Sequence, residues 1–270
     1  MNENRAILIT GARGGLGRAA VRAFSSAGYR VFAADITPPD EDDPLVFPIV
    51  MDVTSDESVS AAAETIKARG GLYAILHMSG VYTMDSFIEI EPGELEKMLA
   101  VNLMGVYRVN RIMLPLIQKG GRIAITASEL APLDPLPFNG IYSMTKTALA
   151  SYSNSLALEL DLIGIRVVTL YPGAFGDGMP KASVRAMDRM KAKTRLYPVV
   201  SERFRNIVIS ETGKAKSPDL LAKRILRILE RKRPPFRCYI NNSLKLRLFS
   251  ALPMGAQAFL LRLLLKPKTE

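Results

Sequence analysis

The chain of 270 residues contains no tryptophan, one cysteine (Cys238) and one histidine (His77). A lone cysteine excludes an internal disulfide, and one Cys with one His is too small a ligand set for a Cys/His metal site, so no metal is expected. Long uncharged apolar runs are scarce as well. The Leu-rich stretch near the C-terminal end is broken by Lys and Arg before it reaches the about 18 residues that a bilayer-spanning helix needs. The chain opens directly into the apolar run Ala6 to Ile9, without the ordered charged, apolar and cleavage-site regions of a secretory signal. A reducing, cytoplasmic setting is therefore the expectation. Acidic residues are outnumbered, 26 against 36 basic, for a net charge of +10. Such a surplus suits nucleic acid, an anionic membrane surface or an acidic substrate, and equally a plain solvated surface. No nucleic-acid motif accompanies the charge, so nucleic acid is not expected as a partner.

What is present is enough apolar residue, 48% of the chain, for a sizeable core. Short apolar runs (Ala6–Thr10, Arg30–Asp35, Leu45–Asp52, Leu72–Met78, Arg122–Ser128, Ile165–Tyr171) alternate with helical stretches at 17–27, 56–69, 92–116, 142–160 and 218–232. That alternation predicts βαβ units. Runs as unbroken as Ile7-Leu8-Ile9 and Ala74-Ile75-Leu76 are those of strands buried on both faces. The reading is one α/β domain over residues 1–270, a doubly wound parallel sheet with helices on both faces.

Directly after the first strand comes Thr10-Gly11-Ala12-Arg13-Gly14-Gly15-Leu16-Gly17, and then a helix. Glycines there permit a tight turn and let backbone N–H groups and a helix N-terminus approach a pyrophosphate. The second strand ends at Asp35, where a carboxylate would meet adenosine ribose hydroxyls and repel a 2′-phosphate, which favours NAD over NADP. Arg13 argues the other way, since it lies in the turn within possible reach of a 2′-phosphate. Asp52-Val53 closes the third strand and suits either an adenine edge or the start of a helix.

Tyr142 and Lys146 stand one helical turn apart, with a phenol and an ammonium on one face. A cation beside a phenol favours phenolate and makes a proton exchanger. With 9 Tyr and 36 Lys plus Arg, one such spacing is expected by chance, so its neighbours carry the weight.

In order, Thr10-Gly-x-x-x-Gly15-x-Gly17, Asn102, Ser128, Tyr142-x-x-x-Lys146 and Tyr171-Pro172-Gly173 resemble the short-chain dehydrogenase/reductase family, from about Ala6 to Gly173. The resemblance implies a Rossmann-like fold and NAD(P)-linked hydride transfer. It makes Tyr142 the general acid/base, Lys146 the residue that lowers its pKa and holds the nicotinamide ribose, and Ser128 the donor to the substrate oxygen. Asn102 would hold a water linking Lys146 to solvent. Thr10, Gly11, Arg13, Gly15, Leu16, Gly17, Asp35, Asp52, Val53, Gly80, Pro172 and Gly173 would line the cofactor together with Tyr142 and Lys146.

Three features depart from the family pattern. His77-Met78-Ser79-Gly80 stands where Asn-Asn-Ala-Gly is common, and His77 reads as a structural hydrogen-bonder. Ser128 lies 14 residues before Tyr142, one more than the common spacing, which leaves Glu129 at the usual offset. After Pro172-Gly173 the run Ala174-Phe175-Gly176-Asp177 lacks the customary Thr near the carboxamide.

The Pro-rich loop Leu130–Phe138 should wall the substrate site. Residues 174–200 read as a long loop acting as a lid, with Met179, Val184, Met187 and Met190 as an apolar face and Lys181, Arg185, Arg189, Lys191, Lys193 and Arg195 opposite. Residues 240–270 form an apolar and basic extension, from Leu244-Lys245-Leu246-Arg247 to Leu265-Lys266, that closes the pocket, packs on another subunit or touches a membrane surface. By analogy the extension is similar to the hydroxysteroid and retinol dehydrogenase branches. The leading expectation is an NAD-dependent enzyme for a hydrophobic secondary alcohol or ketone. A reductase of carrier-bound 3-oxoacyl chains and a silent dinucleotide sensor are the alternatives. Small residues at Ala148, Ala150 and Ser151 suit helix packing in a homodimer or homotetramer.

Overall fold

In the computed structural model, which describes residues 5–40, 42–176, 178–212 and 215–265, the run Ala6–Thr10 forms β1 with every residue buried. On one side of it lie β2 (Arg30–Asp35) and β3 (Val46–Val50); on the other lie β4 (Leu72–His77), β5 (Ile117–Thr126), β6 (Arg166–Pro172) and β7 (Arg237–Ile240). All pairs are parallel, in the order β3-β2-β1-β4-β5-β6-β7, so the winding reverses between β1 and β4 and opens a crevice at their carboxyl ends. This is the doubly wound sheet expected. β3 is shorter than the sequence suggests and tolerates the exposed Pro48 because it is an edge strand. The seventh strand, only four residues long, was not read from sequence.

Alternation along each strand feeds two cores. Leu8, Ile75, Ile123, Ile125 and Val167 face α2 (Asp56–Lys67), α4 (Gly105–Met113) and α5 (Gly140–Asp161). Ile7, Ile9, Leu76, Ala124 and Val168 face α1 (Gly15–Ser25) and α8 (Pro218–Leu229). The helical stretch from Pro92 to Leu116 is present but not uniform: α3 (Pro92–Leu99) passes into a π-helical turn, Ala100–Met104, before α4.

The segment expected as a long loop over 174–200 is instead mostly helical, with α6 (Gly178–Lys193) and α7 (Pro198–Thr212) packed as a pair. Their inner faces bury Met187, Met190 and Phe204 against Met84, with Tyr82, Leu136, Phe138 and Tyr197 around them. The side chain of Met179, as well as Asp177 and Lys266, lies outside the described residues. Polar clamps fix the pair to the segment after β4. Lys193 Nζ lies 2.6 Å from the buried Asp85 carboxylate. Glu89 accepts from Thr194 Oγ1 at 2.6 Å and from the backbone N–H groups of Arg195 and Leu196, which holds its carboxyl below the usual range.

The C-terminal extension folds as α9 (Leu244–Ser250) and α10 (Met254–Leu265) and is clasped to the Pro-rich loop. Glu129 Oε2 accepts from Ser243 N at 2.6 Å, Ser250 Oγ accepts from Asp134 N at 2.8 Å, and Gln257 Nε2 donates to Asp134 Oδ2 at 2.7 Å. Among the described residues no helix is long and apolar enough to cross a membrane.

Asp85 is nearly solvent-free, so Lys193→Ala leaves a buried carboxylate without its cation and is expected to cost about 1–3 kcal/mol. Thermal melting and limited proteolysis read this as a lower midpoint and faster cleavage within α6 and α7. Unchanged melting and cleavage would show that the clamp holds nothing.

Candidate active site

The crevice begins at Thr10, fully buried, whose Oγ1 accepts from the N–H groups of Met78 and Ser79 at 3.2 Å and ties the ends of β1 and β4 together. Gly11 follows with φ +66°, and a Cβ on it would lie 2.7 Å from Ser79 N. A Cβ on Gly17 would lie 2.0 Å from the Gly11 carbonyl oxygen. Both glycines are thus fixed by the packing of the turn itself. Gly15 is different: its backbone φ is ordinary and no protein atom lies within 4 Å of a Cβ there. Behind it α1 starts without a capping side chain or an acidic residue in its first turn, so its positive end is open. Open space over a glycine at an uncapped helix start fits a pyrophosphate. Leu16 leans toward Gly176, at the start of the lid.

Asp35 ends β2, and its Oδ2 accepts from the backbone N–H of Arg13 at 3.0 Å, while the Arg13 side chain is exposed. One carboxylate oxygen braces the glycine turn and the other has no hydrogen bond among the described residues, an arrangement that suits a ribose diol. Asp52 Oδ1 takes both the N–H and the hydroxyl of Thr54, which holds the carboxyl below its usual range. The residue that caps α2 is Ser55, not Asp52. The Val53 side chain packs under Gly105, so only its backbone faces a ligand.

At the same sheet end, α5 places Tyr142 and Lys146 with the catalytic candidates. Tyr142 is buried and hydrogen-bonded to the Ser128 hydroxyl. Burial, reinforced by the Tyr82 phenol beside it, pushes the Tyr142 pKa above its ordinary value, and the bond to Ser128 pulls the other way. In the protein alone Tyr142 is therefore a protonated donor at neutral pH. Lys146 makes no hydrogen bond to this phenol among the described residues. Its Nζ donates to the Thr126 carbonyl at 2.9 Å and lies 5.8 Å from the Tyr142 ring centre, and burial brings its own pKa down to about 8. Asn102 sits in the π turn with no exposed surface. Its Oδ1 accepts from Val81 N at 2.8 Å, and its Nδ2 donates to Val81 O at 2.9 Å and Thr145 Oγ1 at 3.2 Å. The amide therefore staples the turn after Gly80 to α5. Gly80 sits at that junction, where a Cβ would come within ordinary contact of Asn102 Oδ1 (3.4 Å) and Lys146 Nζ (3.9 Å).

Pro172 O accepts from Glu129 N, which brings the Pro172-Gly173 turn beside Ser128. A Cβ on Gly173 would meet the Asn241 carbonyl at 2.0 Å, so the β7 turn requires that glycine. His77 Nε2 is 2.8 Å from Asn110 Oδ1, and Asn110 donates onward to Tyr152. Burial, with the Lys146 charge adding to it, lowers His77 to about 4, so the ring is neutral at physiological pH.

Sequence reasoning missed Thr145, which joins Asn102 to the Tyr142 carbonyl, and Tyr82, whose ring meets that of Tyr142 edge-on at 4.7 Å. The Tyr82 hydroxyl, pushed up to about 12 by burial, bonds Ser183 on α6 and so links lid to site. Thr145 adjoins Lys146 and was within reach of a pattern argument; Tyr82 carries no local signal.

A proton donor built beside a pyrophosphate cradle, at one end of a doubly wound sheet, is the equipment of an oxidoreductase that works with a bound dinucleotide. Comparison with known proteins narrows that class. Residues 5–188 match the family model described as short chain dehydrogenase, and the chain belongs to that family of NAD(P)-linked oxidoreductases. It is 30% identical to the 3-ketodihydrosphingosine reductase of Bacteroides thetaiotaomicron over 87% of each chain. It is 29% identical to estradiol 17-beta-dehydrogenase 2 of Mus musculus over 64% of this chain, which spans about half (49%) of that relative. Among solved structures, the ligand-free aldohexose dehydrogenase of Thermoplasma acidophilum superposes with a TM-score of 0.76 at 21% identity, covering 93% of this chain and 98% of that one, a likeness of fold.

Two substitutions separate the roles of the glycines. Gly17→Ala is expected to lower the melting temperature and abolish dinucleotide binding together, whereas Gly15→Ala leaves melting unchanged and weakens binding alone. Calorimetric titration beside thermal melting reads both, and a Gly15→Ala protein that binds as tightly as the parent rules out the cradle.

Lys146 yields a pH prediction. Unfolded, it keeps its proton up to about 10.5 and folded only up to about 8, so unfolding takes up a proton between these values and stability rises with pH across that window. At neutral pH the buried charge costs the unliganded fold on the order of 3 kcal/mol. Lys146→Met should therefore melt above the parent near neutral pH, with the gap closing toward about pH 10. A variant that melts lower throughout contradicts this.

Proposed function

We propose that the protein interconverts a hydrophobic, steroid- or lipid-like secondary alcohol and its ketone, using NAD. The observation that carries the substrate class is the apolar roof over Tyr142. Tyr82 packs on the phenol, and Met84, Met187, Met190, Phe138 and Phe204 continue the apolar cluster around it. Such a roof favours an extended apolar substrate over a sugar or small acid. The 3-ketodihydrosphingosine reductase and the estradiol dehydrogenase are named for a long-chain ketone and a steroid, in keeping with this reading.

The chemistry follows from the residues. The dinucleotide, when bound, supplies or accepts the hydride. Ser128 offers a hydroxyl to the substrate oxygen, and Tyr142, protonated in its buried setting, passes its proton to that oxygen in the reductive direction. Lys146, fixed by the Thr126 carbonyl, holds positive charge beneath the site and stabilises the phenolate left behind. Asp35 supports NAD, because a 2′-phosphate would face its carboxylate across a turn that Asp35 itself braces. For the homo-oligomer, Met144 and Leu158 on α5 and Tyr107 on α4 are exposed and suit a partner helix pair, whereas Ala150 is buried within its own chain and takes no part.

Purified protein is to be assayed with NADH and NADPH against 3-keto sphingoid bases, keto steroids, retinoids and acyl thioesters, following loss of the reduced cofactor. Turnover of a long-chain or polycyclic ketone with NADH is expected. Tyr142→Phe should reduce kcat by about 10²–10⁴ while cofactor affinity stays intact. A Phe variant that keeps the parent rate would falsify the mechanism, and turnover confined to small hydrophilic substrates would remove the apolar substrate class.

A further inference from the structure

The C-terminal helices present an unusual outer surface. On α10 the inward stripe is Gln257, Leu261 and Leu265, spaced by four, with Leu261 and Leu265 joining the core of α6 and α7. Phe259 and Leu263 lie about half a turn away and are 65% and 70% exposed, where a surface helix ordinarily carries charge. On α9 no residue is buried; Leu246, Phe249 and Ser250 face inward, while Leu244 and Leu248 face out. Leu252 and Met254 continue the exposed apolar surface between the helices. Flanking it are Lys245, Arg247 and Arg262, and the sequence adds Lys266 and Lys268 with no acidic residue from Asn241 to Thr269.

From this we infer that α9 and α10 form a docking surface for an anionic lipid bilayer, with Leu244, Leu248, Phe259 and Leu263 entering the interface and the cations meeting lipid headgroups. Charge selects this occupant. A second copy pairing through the same face would set Lys245, Arg247 and Arg262 against their own counterparts, with no carboxylate on these helices to offset them. An anionic leaflet satisfies the apolar side chains and the cations together.

The same helices are clasped to the active-site loop, Glu129 to Ser243 and Asp134 to Ser250 and Gln257, and Glu129 is the neighbour of Ser128. A bilayer held there would adjoin the loop expected to wall the substrate site. This consequence rests on the substrate class proposed above, whereas membrane docking itself does not.

Co-sedimentation of the full chain with phosphatidylcholine vesicles, with and without about a quarter phosphatidylglycerol, tests the inference. Binding is expected to the anionic vesicles and to weaken with added salt. Lys245→Ala with Arg247→Ala should lower the partition coefficient about 25-fold, each cation contributing about fivefold. Phe259→Asp with Leu263→Asp should abolish binding at an unchanged melting temperature; if that pair unfolds the chain, the alanine pair decides. A parent protein that ignores anionic vesicles, or variants that bind as the parent does, overturns the proposal. So does an oligomer that dissociates on Phe259→Asp with Leu263→Asp, since the face would then join copies. Vesicle binding is read without turnover, so inactivity toward every lipid ketone sinks the substrate reading alone.

Discussion

The candidate active site is organised around one costly act, the burial of the Lys146 ammonium. Among the described residues its one hydrogen bond is to the Thr126 carbonyl, and desolvation brings the pKa down to about 8. Burying a cation with so few partners is unfavourable unless the surrounding frame is rigid enough to impose it. Rigidity comes from three directions. β5 delivers the Thr126 carbonyl, α5 fixes the Lys146 backbone through a buried face, and the Asn102 amide staples the β4 turn to Thr145 on that helix. The π turn that carries Asn102 belongs to the same frame, since the widened turn sets this residue where its amide meets the Val81 backbone. His77 shows the same field from the other side. Its ring stays neutral chiefly because it is buried, and the Lys146 charge nearby adds to that effect.

Above this frame lies a roof of a different character. The Tyr142 phenol meets Tyr82, and Tyr82 meets Ser183 on α6, so α6 and Tyr142 are joined through one aromatic side chain. Phe138 adopts φ +62°, unusual for a bulky residue, and its ring sits edge-on to both Tyr197 and Phe204 while its carbonyl accepts from Asp85 N. Strain at that position is compensated by contacts with the lid on one side and the segment after β4 on the other. Asp85 and Glu89 then clamp the far end of α6. The covering of the site thus depends on a few polar clamps around a methionine-rich apolar interior, an arrangement able to repack around substrates of differing outline.

How much of this was legible in sequence follows from the range of the interactions. The glycine turn and the Tyr142–Lys146 pair were readable because their geometry is local: a turn after a strand, and one helical turn. The sheet was readable because strands buried on both faces need unbroken apolar runs. The lid was half readable. Val184, Met187 and Met190 recur at a spacing compatible with a helix, but the lack of a clean strand from Gly173 to Pro198 reads as a long loop. β7 was missed because Arg237–Ile240 is too short to show more than one alternation. Tyr82 and the staple by Asn102 were out of reach, since both arise only when β4, the π turn and α5 converge.

The position of Ser128 shows how the long-range contacts decide what spacing leaves open. Counting back from Tyr142 puts Glu129 at the common offset, and a carboxylate beside a substrate carbonyl would oppose the charge that develops there. The fold separates the two neighbours by direction. Ser128 turns its hydroxyl to Tyr142, while Glu129 turns away and accepts from Ser243 N at 2.6 Å, with burial raising its pKa. The additional residue in the loop therefore gives the C-terminal extension an anchor directly behind Ser128. An extension held at that point cannot shift without disturbing the loop after Ser128, so the clasp couples the outermost helices of the protein to the candidate site.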